Sequence, residues 1–304
     1  VIKFSRVFIL FLLLAAFRAE AQTMDSLRSK IERILLTRKA VVGVSINGIN
    51  AKDTLSVNGW KQFPLQSVFK FHIGLAMLSE IDKGKFSLSQ KIEIRKKDLV
   101  PDLYSPIRDQ YPEGVTLTLA DILEYTIAQS DNVGCELLLR LLGGPQKVEQ
   151  YFRNKGFKEI SIKINEEVMQ ANWDLQFQNW ITPITANRIL QVFYYNKHKL
   201  LSQSSYDFLW KTMRGTLTGQ DRLKGMLPEG TIVAHKTGSS GTHKSTGITA
   251  AVNDIGVVFL PNGQHFFISV LVADSKENAS DNERIIAEIA RATWDYFIQK
   301  PTFE

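Results

Sequence analysis

Ser67 and Lys70 stand three residues apart in Ser67-Val68-Phe69-Lys70, a spacing that puts both side chains on one face of a helix. A serine hydroxyl is a weak nucleophile until a neighbouring base takes its proton, and a desolvated lysine can serve as that base. In isolation the pair reads better as a solvated serine and lysine on an amphipathic helix. Phe63, Phe69, Phe71 and Ile73 flank it, however, and predict burial, where an unpaired ammonium is costly. Two further strings follow in order, Ser130-Asp131-Asn132 and Lys236-Thr237-Gly238. An S-x-x-K string arises by chance about once in a chain of this length, but each exact tripeptide in fewer than about one chain in ten. All three together, each where a helix, a turn or a strand is wanted, point to a serine nucleophile.

The elements that must position these residues can be read from periodicity. Leu27, Ile31, Ile34 and Leu35 recur at helical spacing, and residues 40–46 and 54–57 read as strands around the Asn47-Gly48 turn. After Pro64 the pattern is helical, with helices predicted over 67–81, 119–128, 133–142, 146–155, 184–196 and 204–213. Strands return at 232–236, 246–252, 255–260 and 266–273. A last helix carries Ile285, Ile289, Thr293 and Phe297 on one face. This order predicts an α+β fold: an antiparallel sheet built from both chain ends and flanked by the terminal helices, plus an all-helical lobe. The expected division is 1–21 as a leader, 22–62 with 214–304 as the α/β lobe, and 63–213 as the helical lobe. A small-molecule cleft is expected between the lobes.

The whole chain sets further bounds. Its 304 residues are 44% hydrophobic and 22% charged, as in an ordinary globular protein, with no repeat or low-complexity tract. Lys3 and Arg6 precede an apolar run over 7–17, and Ala19-Glu20-Ala21 follows as a small-x-small cleavage site. That layout predicts a secretory signal peptide ending at residue 21 and a periplasmic protein without a stable membrane anchor. The apolar run is too short to span a bilayer. The formal charge of +6 is dispersed, and its longest basic run is Arg95-Lys96-Lys97, so nucleic acid is not an expected partner. A single cysteine, Cys135, excludes an intramolecular disulfide and reads as a buried thiol. The five histidines lack metal-ligand spacing, and G-x-S-x-G, Walker and G-x-G-x-x-G strings are absent. His72 reads as a packed residue, and Asn278 as a cap before the last helix.

Residues 22–304 resemble class A serine β-lactamases, whose nucleophile, loop and strand motifs match the three strings. Tyr104-Ser105-Pro106 matches a substrate-lining segment of that family. The resemblance implies that Ser67 is acylated, Lys70 is its proton partner and Ser130 protonates the leaving lactam nitrogen. Asn132 would hold the acylamino side chain, and Tyr104 would line the cleft. Lys236, Thr237, Ser239 and Arg222 would bind the substrate carboxylate, and the backbone N–H groups of Ser67 and Ser239 would form an oxyanion hole. Glu166, in Asn165-Glu166-Glu167-Val168-Met169-Gln170, would activate water for deacylation; choosing Glu167 instead would put Gln170 at an apolar position. Neither a metal nor an organic cofactor is implied, and a monomer acting on a small β-lactam is expected.

Two departures bear on the loop that carries Glu166. The family usually clamps it with an Arg–Asp ion pair, but Ile164 and Asn179 occupy those positions, and Gln170 replaces the usual Asn. Their joint occurrence, with Gln178-Asn179-Trp180, resembles the PER/VEB-type subgroup, which includes extended-spectrum cephalosporinases. The same three strings also occur in D,D-peptidases and in penicillin-binding sensor domains. Glu166 favours the hydrolase over both, and no tether for a sensor follows the leader.

Overall fold

The structure, a computed structural model, describes residues 23–50 and 52–300; the expected leader at 1–21 lies outside the described residues. The chain opens with α1 (Met24–Leu35), β1 (Val41–Asn47), β2 (Thr54–Val57) and a short β3 (Phe63–Pro64). A central block then carries α2 (Phe69–Asp82), β4 (Lys91–Arg95), α3 (Pro106–Gln110), β5 (Gly114–Thr118), α4 (Leu119–Ala128), α5 (Asn132–Leu142) and α6 (Pro145–Asn154). It continues through β6 (Ile160–Ser161), α7 (Glu166–Ala171), β7 (Trp180–Ile181), α8 (Pro183–Tyr194) and α9 (Gln203–Arg214). The chain closes with β8 (Val233–Ser239), β9 (Thr249–Phe259), β10 (His265–Ser275) and α10 (Ala279–Ile298). The architecture is α+β, an antiparallel sheet with helices on its faces.

Five strands form the main sheet in the order β2-β1-β10-β9-β8, all antiparallel, so both chain ends contribute to it. Alternation along β10 divides its residues between two cores. Phe266, Ile268, Val270 and Val272 join Leu27 and Ile31 of α1 and Ile285, Ile289 and Phe297 of α10. Phe267 and Leu271 face the helical block instead. There Asn187 of α8 donates to Ser45 O at 2.9 Å and accepts from Ser269 Oγ at 2.6 Å, which pins that helix to the sheet. Asn278 caps α10 by accepting from Asp281 N at 2.8 Å.

Three expectations need correction. The strands read at 246–252 and 255–260 form one strand, β9. The polar pair Asn253-Asp254, which fell between the two expected strands, is fully buried and bonded inside the sheet. The helix read from Ser67 begins at Phe69; Gln66–Val68 is a 3-10 turn entered through Gln66 at φ +46°. Third, the block read as all-helical also carries short strands: β4 pairs with β5, and β7 lies between β3 and β6. Lys91-Ile92-Glu93-Ile94-Arg95 does alternate, but short strands amid helical patterns carry little periodic signal. The β3–β7 pair matters for the site, because it ties the chain just before Ser67 to the chain just after Asn179.

Residues 69–79 of α2 are all buried, so this helix is enclosed on every side. His72 packs edge-on between Phe71 and Phe152, with ring centroids 5.3 and 5.1 Å away. Burial lowers its pKa from 6.5 to about 4. Between those values the unfolded chain holds a proton that the folded protein does not, so stability falls as pH drops through this window. This residue alone should make the fold roughly 3 kcal/mol less stable at pH 4 than at pH 7. In urea titrations wild type should therefore lose stability relative to His72→Phe as pH falls through this window, and parallel stability curves would contradict it.

Candidate active site

Three short segments converge on one buried ammonium. Lys70, in the first turn of α2, has no exposed surface, and its Nζ lies 2.8 Å from Ser67 Oγ and 2.6 Å from Glu166 Oε1. It also donates to the Ser130 carbonyl at 3.0 Å and to Asn132 Oδ1. Four oxygens thus surround a group with three N–H donors, so one of them must share a donor or surrender a proton.

Ser130 adopts φ +62°, a region that non-glycine residues rarely occupy. That turn aims its carbonyl at Lys70 while its hydroxyl receives Lys236 Nζ at 3.0 Å. Asp131 caps α5 through the Gly134 N–H at 2.7 Å, and its other oxygen accepts from Ser105 Oγ at 2.8 Å and Ile107 N at 2.7 Å. The middle residue of the loop string is therefore structural, and it pins the Tyr104-Ser105-Pro106 segment beside Asn132. Tyr104 itself is 55% exposed at the rim.

Strand β8 forms the opposite wall at the edge of the sheet. A Cβ at Gly238 would lie 2.8 Å from Leu65 O and 3.0 Å from Val68 N, so only glycine lets β8 approach the nucleophile turn this closely. Ser239 follows next to that contact. Lys236 is fully buried, and desolvation, with Lys70 nearby, pushes its ammonium well below the usual lysine range, against a pull upward from Asp254. Thr237 shares a 2.6 Å hydroxyl contact with Thr218. Arg222 is only 8% exposed. Its Nη1 donates to Gly238 O and Asn253 O at 3.0 Å each, its Nη2 to Ser239 Oγ at 2.6 Å, and its Nε to Glu283 at 3.2 Å.

Ser67, Tyr104, Ser130, Asn132, Glu166, Arg222, Thr237 and Ser239 all line one cavity of about 670 Å³, with Lys70 and Lys236 buried behind it. The candidate site residues thus lie together around one cavity. Residues 26–297 match the model of the beta-lactamase enzyme family. The chain is 54% identical to β-lactamase VEB-1 of Pseudomonas aeruginosa over 93% of both sequences. It is 38% identical to the extended-spectrum β-lactamase PER-1 of the same species, covering 94% of this chain and 92% of that one. A β-lactamase structure from Chitinophaga pinensis superposes with a TM-score of 0.85 at 46% identity, covering 88% of this chain and 98% of the other. The chain belongs to the class A β-lactamase family.

In this β-lactamase the loop carrying Glu166 is closed at Ile164 and Asn179 without the Arg–Asp ion pair. Asn179 is fully buried; its Oδ1 accepts from Lys163 N at 2.7 Å and Ile164 N at 3.1 Å, and its Nδ2 donates to Ile164 O at 2.8 Å. Leu65 N in turn donates to Asn179 O at 2.9 Å, next to the nucleophile turn. Three neutral hydrogen bonds do the work of the expected Arg–Asp pair. Gln66 adds a further tie, donating to Gln176 at 2.7 Å across the buried base of the loop. The reading frame of α7 is also clear: Glu166 and Met169 are buried, whereas Glu167 and Gln170 are exposed.

Glu136 went unread in the sequence. Its carboxylate accepts from Glu166 N at 2.6 Å, Glu167 N at 3.3 Å and Asn165 Nδ2 at 2.8 Å, and so holds the first turn of α7. Burial raises its pKa, while these donors oppose the rise. A signal was available, since Asn132 and Glu136 are four apart on one helix and must share a face. Cys135 is buried, and desolvation pushes its thiol well above the usual range, as expected of an inert thiol. Among the described residues no cluster could hold a metal.

Asn179→Ala would strip the partners from two backbone N–H groups. We expect a loss of roughly 1–3 kcal/mol in denaturant unfolding, with faster hydrogen exchange at Lys163 and Ile164. Exchange unchanged at those amides would mean that the loop is held elsewhere.

Proposed function

We propose that this protein hydrolyses the lactam ring of penicillins and cephalosporins through an acyl-serine intermediate, and so confers resistance to those antibiotics. One observation carries the reading: a single ammonium, Lys70, bridges the Ser67 hydroxyl at 2.8 Å and the Glu166 carboxylate at 2.6 Å. Passing a proton from Lys70 to Glu166 leaves a neutral amine facing Ser67, ready to take the hydroxyl proton as Oγ attacks the lactam carbonyl. The oxyanion that forms is held by the backbone N–H groups of Ser67 and Ser239. The C–N bond then breaks, and Ser130 gives its proton to the departing nitrogen, with Lys236 3.0 Å behind it.

Binding follows from the walls of the cavity. The substrate carboxylate sits at the Lys236–Thr237–Ser239 end with Arg222 behind it, where buried donors favour an anion. Asn132 holds the acylamino group, and Tyr104 covers the rim. After acylation Lys70 restores the Ser130 proton and takes back the one held by Glu166, so that Glu166 is again a carboxylate and can orient and deprotonate the water that attacks the ester. The product carries a new carboxylate and a free amine, and Ser67 recovers its proton. The reach to cephalosporins is supported by a relative that is described as an extended-spectrum β-lactamase. We place the enzyme in the periplasm as a monomer, its leader removed after residue 21. No helix among the described residues is long and apolar enough to cross a membrane.

The test separates acylation from deacylation by intact mass with a cephalosporin. Ser67→Ala should take no covalent label. Glu166→Ala should label and stall, because the ester persists when water is not activated, and Glu167→Ala should turn over almost normally. A stalled adduct on the unmodified enzyme would indicate a penicillin-binding sensor or D,D-peptidase instead. Separately, N-terminal sequencing of periplasmic protein should find a chain starting near Gln22, and recovery of residues 7–17 in membranes would overturn the localisation.

A further inference from the structure

Behind β8, on the face away from Ser130, lies a second pair of titratable groups that the chemistry above leaves unused. His235 and Asp254 have no exposed surface. Asp254 pairs in register with Thr237, so on an antiparallel sheet it shares a face with His235 diagonally across the ladder. The imidazole Nδ1 lies 2.9 and 3.0 Å from the two carboxylate oxygens, and Nε2 has no hydrogen-bond partner. A carboxylate can only accept, so Nδ1 carries the proton and the ring is held by that end alone. Room for it comes from Gly256, where a Cβ would lie 2.8 Å from His235 Cβ and 2.6 Å from Ala234 O.

The pair faces the segment Thr216–Leu223, which contains neither helix nor strand. A segment without its own backbone ladder keeps its place only through bonds to neighbours. Thr216 Oγ1 donates to His235 O at 2.7 Å, Thr218 meets Thr237, and Arg222 reaches Gly238, Ser239 and Asn253. Leu223 N ends the series by donating to Asp254 Oδ2 at 3.2 Å. The segment is thus laced to β8 and β9 at both ends, and Asp254 is the far anchor. Two of its residues, Thr218 and Arg222, line the catalytic cavity. A buried carboxylate keeps such a position only when its charge is met, and His235 supplies the close donor. The Asp254 charge also acts through the strand on Lys236, opposing the loss of its proton.

We propose that His235 and Asp254 are a buried positioning pair that anchors the Thr216–Leu223 segment, and through it sets Arg222 and Thr218 at the carboxylate-binding end of the cleft. The pair touches no substrate; it acts through Arg222. The consequence for binding rests on the carboxylate reading given above, whereas the anchoring does not.

Purified full-length variants can test both parts, with benzylpenicillin as substrate. His235→Leu removes the donor, while His235→Asn keeps a side-chain N–H near the position of Nδ1. His235→Leu should raise KM about tenfold and leave kcat within about threefold, and His235→Asn should restore most of the loss. Hydrogen exchange should speed up at Leu223 in His235→Leu and stay unchanged in the core of α10. Because the pair works through Arg222, adding His235→Leu to Arg222→Ala should raise KM little further. Should His235→Leu fail to fold, Asp254→Asn keeps the volume, and the same two readouts are expected. Unchanged exchange at Leu223, an unchanged KM, or KM effects that multiply fully with Arg222→Ala would each overturn the proposal. An Arg222→Ala enzyme with unaltered KM would instead overturn the carboxylate reading, while exchange at Leu223 still decides the anchoring.

Discussion

A fully buried ammonium is tolerable only when acceptors surround it, and in this protein Lys70 is that ammonium. Its acceptors come from distant parts of the chain: Ser67 one turn before it, Ser130 and Asn132 at the start of α5, and Glu166 on α7. Much of the architecture can be understood as holding these oxygens in place. The apolar enclosure of α2 keeps water from competing for the ammonium. The left-handed turn at Ser130 points a carbonyl at it, and Asp131 fixes that turn by capping α5 and bonding the Ser105–Ile107 segment. Such locally unfavourable backbone persists because its surroundings over-determine it.

The loop bearing Glu166 shows how one geometric need can be met by different chemistry. Without the Arg–Asp ion pair, Asn179 satisfies three backbone groups around Ile164, and Glu136 gathers three donors at the start of α7. Both solutions use buried polar side chains with nearly complete hydrogen bonding, the condition under which such groups stabilise a structure. The loop is further joined to the nucleophile turn through the β3–β7 pair and the Gln66–Gln176 bond. Ser67 and Glu166 therefore sit on segments that share a support.

The opposite wall follows a different logic. Strand β8 is an edge strand whose outer neighbour is an irregular segment rather than another strand, so side-chain bonds replace a ladder there. Arg222 is the densest knot in that lacing. These bonds leave Arg222 nearly enclosed in the fold. Glycine at 238 brings the same strand against the nucleophile turn, so one wall serves Ser239 on one side and Lys236 on the other.

Much of this was legible in the residues alone. The Ser67-to-Lys70, Ser130 and Lys236 strings could be read as candidates because short motifs encode them within a few positions. Helices α4, α5 and α6 and the buried face of α10 followed from periodicity for the same reason. What local pattern could not express were contacts between residues far apart in the chain. Asn253-Asp254 fell between two expected strands, yet His235, Pro64 and Leu65 bond them inside one. Asn179 read only as a missing ion-pair partner, since nothing nearby reveals that Lys163 and Ile164 supply its bonds. The sequence by itself determined where the short motifs and the helices that carry them lie, because those depend on neighbours one turn away. Tertiary structure decided how the loops are clamped, because a buried polar group takes its meaning from the donors and acceptors that the fold brings to it.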